Sequence, residues 1–118
     1  PETLALDSFL ELVKSKLNSK GLRYHDAGRP VKRVAVLGGS GGSEMKHVLE
    51  KGCDTFITAD IRYDVFLAAK EEGLNLIDAD HFCTENVVCQ TLQSWLGEAF
   101  PDIRVEISSK HGQTANFY

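Results

Sequence analysis

The chain has 118 residues, 42% of them hydrophobic and 25% charged, with a formal net charge of -4. This length and balance predict a single globular domain over residues 1–118. The acidic balance argues against nucleic acid as a partner, and no apolar run approaches the ~20 residues that cross a membrane.

The first predicted helix follows from apolar residues at helical spacing, which are Leu6, Phe9, Leu10, Val13 and Leu17. The run SFLE at 8–11 is typical of a capping box, and the Lys-Gly pair at 20–21 of a helix end. After a polar connection, KRVAVLGG at 32–39 predicts a buried strand. The glycine-rich run GGSGGSE follows at 38–44, and MKHVLEKG predicts a helix that ends at Gly52.

The second half repeats the alternation of strand and helix. TFITADI at 55–61 and LNLIDA at 74–79 predict strands, with the helix YDVFLAAKEEG at 63–73 between them. A longer helix before Pro101 has a predicted core stripe, and IRVEIS at 103–108 predicts a fourth strand. The stripe consists of Val88, Leu92, Trp95, Leu96 and Ala99.

Alternating strands and helices predict an α/β fold, a three-layer α/β/α domain with a mainly parallel sheet. Ligands of open parallel sheets bind beyond the carboxyl ends of the strands. The glycine run, Asp60 and the corner IDADHFCTE at 77–85 all fall at such ends. We therefore expect three distant stretches to meet at one edge.

The corner at 77–85 carries the densest ligand chemistry in the chain. If a helix begins near Asp80, His81 and Glu85 stand one turn apart on one face, about 6 Å along the axis. An imidazole and a carboxylate so placed can share a metal ion or flank a pair of ions. Alternatively, Asp80 caps the helix while His81 and Glu85 simply pair in its first turn.

The glycine run at 38–44 allows two interpretations. Gly39, Ser40, Gly41 and Gly42 follow a strand and precede a helix, where backbone N–H groups can bind an anion such as phosphate. The run fits neither a P-loop nor G-x-G-x-x-G, so a tight turn without a ligand is the alternative.

Asp60 is a candidate base or metal-orienting carboxylate, or else a helix cap. Cys83 faces away from the pair at 81 and 85, which predicts an inert buried thiol. The other histidines, at 25, 47 and 111, are isolated and predicted to lie at the surface. Three cysteines without CxxC spacing, and no signal-peptide pattern, favour reduced thiols in the cytoplasm.

Taken in order, RVAVLGGSGGS, ITADIRY and GLNLIDADHFCTE resemble the second half of the Nif three-like dinuclear metal family, whose members are also described as GTP cyclohydrolase I type 2 proteins. The resemblance implies His81 and Glu85 as ligands in a two-metal centre. It also implies that the remaining ligands come from an amino-terminal half that this chain lacks. Asp64 and Asp80 stand where the family commonly has histidine and glycine.

The resemblance implies half of a metal-dependent hydrolase that acts on GTP or a related nucleotide and assembles into homo-oligomeric rings, commonly hexamers. Zinc, iron, manganese and nickel all suit an imidazole and a carboxylate. With two ligands, the chain alone should bind metal weakly and turn over nothing, since catalytic zinc sites usually have three protein ligands. The alternatives are a non-catalytic metal-binding regulator or scaffold, and a metal-free nucleotide sensor.

Overall fold

The computed structural model describes residues 3–118. Its strands are β1 (Arg23–His25), β2 (Val34–Ser40), β3 (Thr55–Ala59) and β4 (Asn75–Asp78). Its helices are α1 (Leu6–Leu17), α2 (Met45–Glu50), α3 (Tyr63–Glu72), α4 (His81–Asn86) and α5 (Val88–Ala99). A single 3₁₀ turn, Gly42–Glu44, leads from the glycine run into α2.

The strands form one sheet in the order β1-β4-β3-β2. β3 lies between β2 and β4 and is parallel to both, whereas β1 is antiparallel to β4. The predicted mainly parallel sheet is therefore confirmed. Because the three parallel strands run the same way, their carboxyl ends meet at one edge, as the sequence predicted.

Helices cover both faces of the sheet, which gives the predicted three layers. On one face α1 packs Leu6, Phe9, Leu10 and Val13 against Ile57 and Ile77. On the other face, residues from α2, α3 and the strands form a second cluster: Val48, Phe56, Ile61, Ala69, Leu74 and Leu76. The central strands read as continuous apolar runs because both of their faces are buried.

The fourth strand is not the one predicted. Residues 103–108 have no regular secondary structure, and the fourth strand is instead Arg23–His25, within the segment predicted as a polar connection. The Arg23 guanidinium donates to the Asp78 carboxylate and to the Ile61 carbonyl, at 2.9 Å in the second case. These tertiary contacts, absent from local sequence, hold a three-residue edge strand whose composition alone is too polar to indicate one.

Two details of the helices also differ from prediction. Helix α1 begins at Leu6 after an N-cap at Ala5, so Ser8 lies inside its first turn and the capping box is wrong. It ends at Leu17, with Asn18 in the left-handed region at φ 51°. Helix α5 forms as predicted, but none of its residues is buried, and Trp95 is 63% exposed. Its apolar stripe is therefore not part of this chain's core.

Within residues 3–118, no helix combines the length and the apolar character needed to cross a bilayer.

Candidate functional site

The glycine run, Asp60 and the corner at 77–85 meet at the carboxyl edge of the sheet, as predicted. β2 ends at Ser40, and Asp60 follows the last residue of β3. The Ser40 hydroxyl donates to Asp60 Oδ2 at 2.7 Å, and His81 Nδ1 lies 2.6 Å from the same oxygen. Residues up to 41 positions apart thus form one hydrogen-bonded group.

Asp80 sets the start of α4 and so the direction of the side chains that follow it. Its carboxylate accepts a hydrogen bond from Cys83 N at 3.0 Å, which is a helix cap. Its φ of 71° lies in the region that glycine favours. Asp80 also accepts from Gln113 Nε2. The Asp80 carboxylate therefore binds the first turn of α4 and the tail of the chain.

His81 stands between two carboxylates, one at each ring nitrogen. Nδ1 contacts Asp60, and Nε2 lies 3.2 Å from Glu85 Oε2. The side chains of His81 and Glu85 are 46% and 56% exposed, so this line of polar groups faces outward. The predicted helical pairing of residues 81 and 85 is confirmed, and Asp60 joins it.

The hydrogen bonds among Ser40, Asp60, His81 and Glu85 change the pKa values of Asp60 and His81. The donors Ser40 and His81 lower the pKa of Asp60 from 3.8, so its carboxyl group is ionised at neutral pH. The hydrogen bond to Asp60, assisted by the charge of Glu85, raises the pKa of His81 from 6.5. Because an ionised carboxylate can only accept, His81 Nδ1 carries the proton that it shares with Asp60.

The second ring nitrogen of His81, Nε2, faces the Glu85 carboxylate. With the proton on Nδ1, a neutral ring presents the lone pair of Nε2 to the Glu85 carboxylate, two acceptors 3.2 Å apart. That approach is attractive only when a cation lies between them, which is either a second ring proton or a metal ion. A carboxylate on the far ring nitrogen is also how proteins orient histidine ligands.

Within the described residues, no group of three or more His, Cys, Asp or Glu side chains is arranged to hold a metal ion. The reason lies in the geometry, since Asp60 and Glu85 approach opposite nitrogens of His81 and cannot converge on one point. Residues 3–118 therefore offer two candidate ligands, His81 Nε2 and the Glu85 carboxylate.

Gly39 forms the wall against which Glu85 rests. Its φ is 69°, and a Cβ there would overlap Glu85 Oε1 and stand 3.3 Å from His81 Cε1. Gly39 N donates to Thr84 Oγ1 at 2.9 Å, and its carbonyl accepts from Thr58 Oγ1 at 2.8 Å. Two independent constraints, backbone conformation and space, thus require glycine at this position.

The hydrogen bonds of the glycine run bear on its predicted contact with phosphate. Gly39 N and the Ser40 hydroxyl already have protein partners, and both carboxylates of the His81 group lie beside the run. Ser43 Oγ faces Glu44 Oε1 at 3.4 Å. This edge therefore has a negative potential that favours cations over free anions.

A cavity of about 490 Å³ opens beside His81 and Glu85. Its far wall is formed by the tail at 111–115, and the His111 ring lies 5.1 Å from the ring of Phe82 in α4, at an interplanar angle of 48°. Sequence reasoning missed this wall, since the tail has no periodicity and His111 is isolated along the chain. Thr84, whose hydroxyl oxygen accepts a hydrogen bond from Gly39 N, was also not predicted.

Cys83 is buried as predicted, and burial, together with Asp80, raises its pKa to about 11. A thiol with this pKa is almost wholly protonated at neutral pH and so a poor nucleophile or ligand. Elsewhere, exposed His47 pairs with Glu44 at 2.9 Å, but with no carboxylate on its second nitrogen among the described residues.

Comparison with known proteins places this site in context. The family model described as Duf34/NIF3 (NGG1p interacting factor 3) matches residues 1–114. A Staphylococcus aureus protein named GTP cyclohydrolase 1 type 2 homolog is 34% identical over 105 residues, or 88% of this chain. A protein of the same name from Staphylococcus epidermidis is 38% identical over 102 residues, or 80% of this chain. The chain spans 28% and 27% of their lengths, in the C-terminal part.

Solved structures agree with the fold. A crystal structure of a Staphylococcus aureus hypothetical protein superposes with a TM-score of 0.90 at 32% identity, covering 99% of this chain and 40% of that one. A Bacillus cereus protein described as related to NIF3 gives 0.81 at 30% identity, covering 99% and 34%.

Proposed function

This chain belongs to the Duf34/NIF3 family, and we propose that it supplies two ligands, His81 and Glu85, to a divalent-metal centre of a hydrolase-like protein. The remaining ligands would come from a part of the protein outside these 118 residues. Two ions per complete site, drawn from zinc, iron, manganese or nickel, would suit the donors, since imidazole and carboxylate accept all four.

One observation carries the proposal. His81 Nδ1 is held by Asp60 at 2.6 Å, and Nε2 faces the Glu85 carboxylate at 3.2 Å. The first contact orients the ring, and the second sets a carboxylate beside Nε2, so that a ring proton or a metal ion can join the two groups. An ion pair between His81 and Glu85 would not need Asp60, which fixes the other ring nitrogen.

Each residue then has a defined task. His81 and Glu85 would hold the ion, while Asp60, fixed by the Ser40 hydroxyl, would keep His81 in the tautomer with Nε2 free. Divalent ions held there would supply a hydroxide nucleophile, because a metal ion lowers the pKa of a bound water towards ~7.

The substrate proposed is GTP or a related nucleotide, from the printed name of the relatives and the shape of the edge. The cavity of about 490 Å³ beside the pair has an aromatic wall, Phe82 and His111, suited to a planar base. The phosphates would lie towards Gly39, Ser40, Gly41 and Gly42. Because Asp60 and Glu85 repel an anion there, phosphate would bind only after metal ions have neutralised the edge.

The ligand assignment is tested by titrating Zn²⁺, Mn²⁺ and Ni²⁺ into the chain by calorimetry. His81→Ala and Glu85→Gln should each weaken binding by about 10-fold or more, since each removes one of two ligands. His47→Ala is the matched control, because it removes another exposed helical histidine paired with a glutamate. Equal effects of His47→Ala and His81→Ala would contradict the assignment.

The activity is tested on a longer protein that joins this sequence to the amino-terminal part its relatives possess. Metal-dependent turnover of GTP, lost with chelator and in His81→Ala, supports the hydrolase. Stoichiometric metal without turnover of any nucleotide would favour the non-catalytic regulator or scaffold instead.

A further inference from the structure

We infer that Asp78 is a positioning residue for the candidate site, because it sets the distance between Asp60 and His81 and thereby the ring nitrogen of His81 that carries the proton. The Asp78 carboxylate makes no hydrogen bond with His81 or Glu85 and does not line the cavity beside them, so it acts through the two loops that it binds. The hydrogen bond between Asp60 and His81 requires no metal ion, and only the consequence for metal binding rests on the proposed function.

Asp78 is a buried carboxylate at the carboxyl end of β4, on the same edge of the sheet as the candidate site. Burying a carboxylate is unfavourable unless hydrogen-bond donors or a cation compensate it. The Ile61 N–H, at 3.0 Å, and the Arg23 guanidinium share its Oδ2, while the Asp80 N–H lies 3.3 Å from Oδ1. The two oxygens of one side chain are therefore bound to two separate loops.

Each of these loops carries one partner of the hydrogen bond at the site. Ile61 directly follows Asp60, and Asp80 directly precedes His81. Asp60 Oδ2 lies 2.6 Å from His81 Nδ1. A donor and an acceptor about 3.6 Å apart no longer form a hydrogen bond, so a shift of about 1 Å in either loop would break this contact.

The backbone of both loops needs tertiary contacts to keep its conformation. Asp60 has a φ of 51°, and Asp80 has a φ of 71° with a ψ of 135°, in a region that residues other than glycine rarely adopt. Residues persist in such conformations only where the surrounding structure imposes them. Asp78 supplies such contacts, since it accepts from the N–H of Asp80 itself and from the N–H that follows Asp60.

Arg23 completes this arrangement from the edge strand β1. Its guanidinium donates to Asp78 and, at 2.9 Å, to the Ile61 carbonyl, so both polar groups of the Ile61 backbone are held by the ion pair. Arg23 Cζ also lies 5.5 Å from the centre of the Phe66 ring in α3, a distance at which a cation and an aromatic ring attract each other. Strand β1 thus brings a cation to the carboxylate that binds both loops.

Asp54 is a buried carboxylate with similar contacts but a different place in the fold. It accepts from two backbone N–H groups, those of Lys32 and Arg33, and it directly precedes β3, at the opposite edge of the sheet. Neither of those residues adjoins a member of the candidate site. Asp54→Asn is therefore the matched control, because it changes a buried acceptor of the fold without acting on the loops that carry Asp60 and His81.

The experiment follows the His81 ring by ¹⁵N NMR in the metal-free chain, at a pH where the ring is neutral. The hydrogen bond at one ring nitrogen determines which nitrogen keeps the proton. In the wild type and in Asp54→Asn, the tautomer with the proton on Nδ1 should therefore predominate, because Asp60 accepts that proton.

Asp78→Asn should change this ratio. An amide has one acceptor oxygen where the carboxylate has two, so its NH₂ group faces a backbone N–H and one loop is released. Without Asp60 at Nδ1, the proton moves to Nε2, where Glu85 accepts it. The ratio of the Nδ1–H to the Nε2–H tautomer should fall about tenfold, as expected when a hydrogen bond to a charged group is lost.

Zinc affinity, measured by calorimetry, is the second readout. A proton on Nε2 occupies the nitrogen that a metal ion would need, so Zn²⁺ affinity should fall about tenfold or more in Asp78→Asn and stay unchanged in Asp54→Asn. A wild type that binds no zinc, together with the tautomer change in Asp78→Asn, would contradict the proposed function and support the positioning role.

Arg23→Met tests the same contacts if Asp78→Asn does not fold, which circular dichroism shows. The Arg23 side chain is 63% exposed, and methionine keeps an aliphatic stem beside Phe66 while it removes the guanidinium from Asp78 and Ile61. The tautomer ratio should fall by a smaller factor than in Asp78→Asn, because the two N–H contacts of Asp78 remain. An unchanged ratio in the folded variants at positions 23 and 78, or an equal fall in Asp54→Asn, would overturn the inference.

Discussion

Replacing Gly39 by alanine separates the two reasons for a glycine beside the His81 group. A Cβ at this position would overlap Glu85 Oε1 and stand 3.2 Å from Glu85 Cδ. The backbone there has a φ of 69°, so alanine also meets the steric cost of the left-handed region. The first effect acts on the site, and the second acts on stability.

The stability cost follows from the backbone. A non-glycine residue in the left-handed region costs about 1–2 kcal/mol, offset by about 0.4–1 kcal/mol because alanine restricts the unfolded chain. The Glu85 side chain is 56% exposed and can rotate away from the new methyl group with little loss. We therefore expect the free energy of unfolding to fall by roughly 1 kcal/mol.

The binding cost is larger, because the rotated Glu85 carboxylate no longer faces His81 Nε2. Metal affinity should fall about 10- to 100-fold, as it does when a group that positions a ligand is lost. Gly52→Ala is the matched control, since Gly52 has a φ of 67° and a methyl group there would meet nothing within 4 Å. Urea unfolding and Zn²⁺ calorimetry should show equal stability losses in the two variants and unequal affinities. Equal affinities would refute the reasoning.

Three further predictions concern single groups. Asp60→Asn should bring the pKa of His81 back towards 6.5 in an NMR titration, because the hydrogen bond to Asp60 is the main cause of the raised pKa. In the wild type, the protonated His81 stabilises the fold fully below pH 6.5, and this contribution is lost as the pH rises through the raised pKa. Asp54→Asn should lower the free energy of unfolding, measured in urea, by about 1–3 kcal/mol, because the buried side chain loses its charged acceptor oxygens. Burial raises the pKa of Asp54, but hydrogen bonds from backbone N–H groups lower it more. The wild type keeps this stability above pH ~3.9 and loses it as the pH falls through the lowered pKa. Cys83, with its pKa of about 11, should react with Ellman's reagent far more slowly than the other two thiols in the native chain.

The sequence predicted the parts of the fold that depend on local pattern. The apolar runs at β3 and β4, glycines at helix ends and the alternation of elements are local signals, and the structure confirms the three layers they imply. The run at β2 predicted a buried strand, which is wrong: β2 lies at the edge of the sheet, and Val36 is 69% exposed. The edge strand β1 depends instead on Arg23 reaching Asp78, a contact between residues 55 positions apart. No local pattern indicates such a contact.

The apolar pattern at 88–99 predicted a buried helix face, and the pattern at 103–108 predicted a strand. In this chain α5 has no buried residue, and residues 103–108 form no strand. A periodic apolar face indicates that something covers it, but it does not say that the cover belongs to the same chain. In this chain Trp95 and Ile103 remain exposed.

At the candidate site, spacing alone predicted that His81 and Glu85 share a face, since a helix fixes that geometry. The topology rule brought in Asp60 and the glycine run. The direction of each hydrogen bond could not be predicted from the sequence. Ser40, a candidate phosphate contact, donates to Asp60. The cavity wall formed by the tail at 111–115 was also unpredictable, because no periodic signal places an irregular segment.

The central claim is that His81 holds a metal ion through Nε2 while Nδ1 stays with Asp60. The most direct measurement is the ¹⁵N spectrum of the His81 ring during a Zn²⁺ titration of the chain. We predict that the Nε2 resonance shifts to the position of a metal-bound nitrogen while Nδ1 keeps its proton. Metal binding through Nδ1, or a His81 ring unchanged by saturating zinc, would contradict the account.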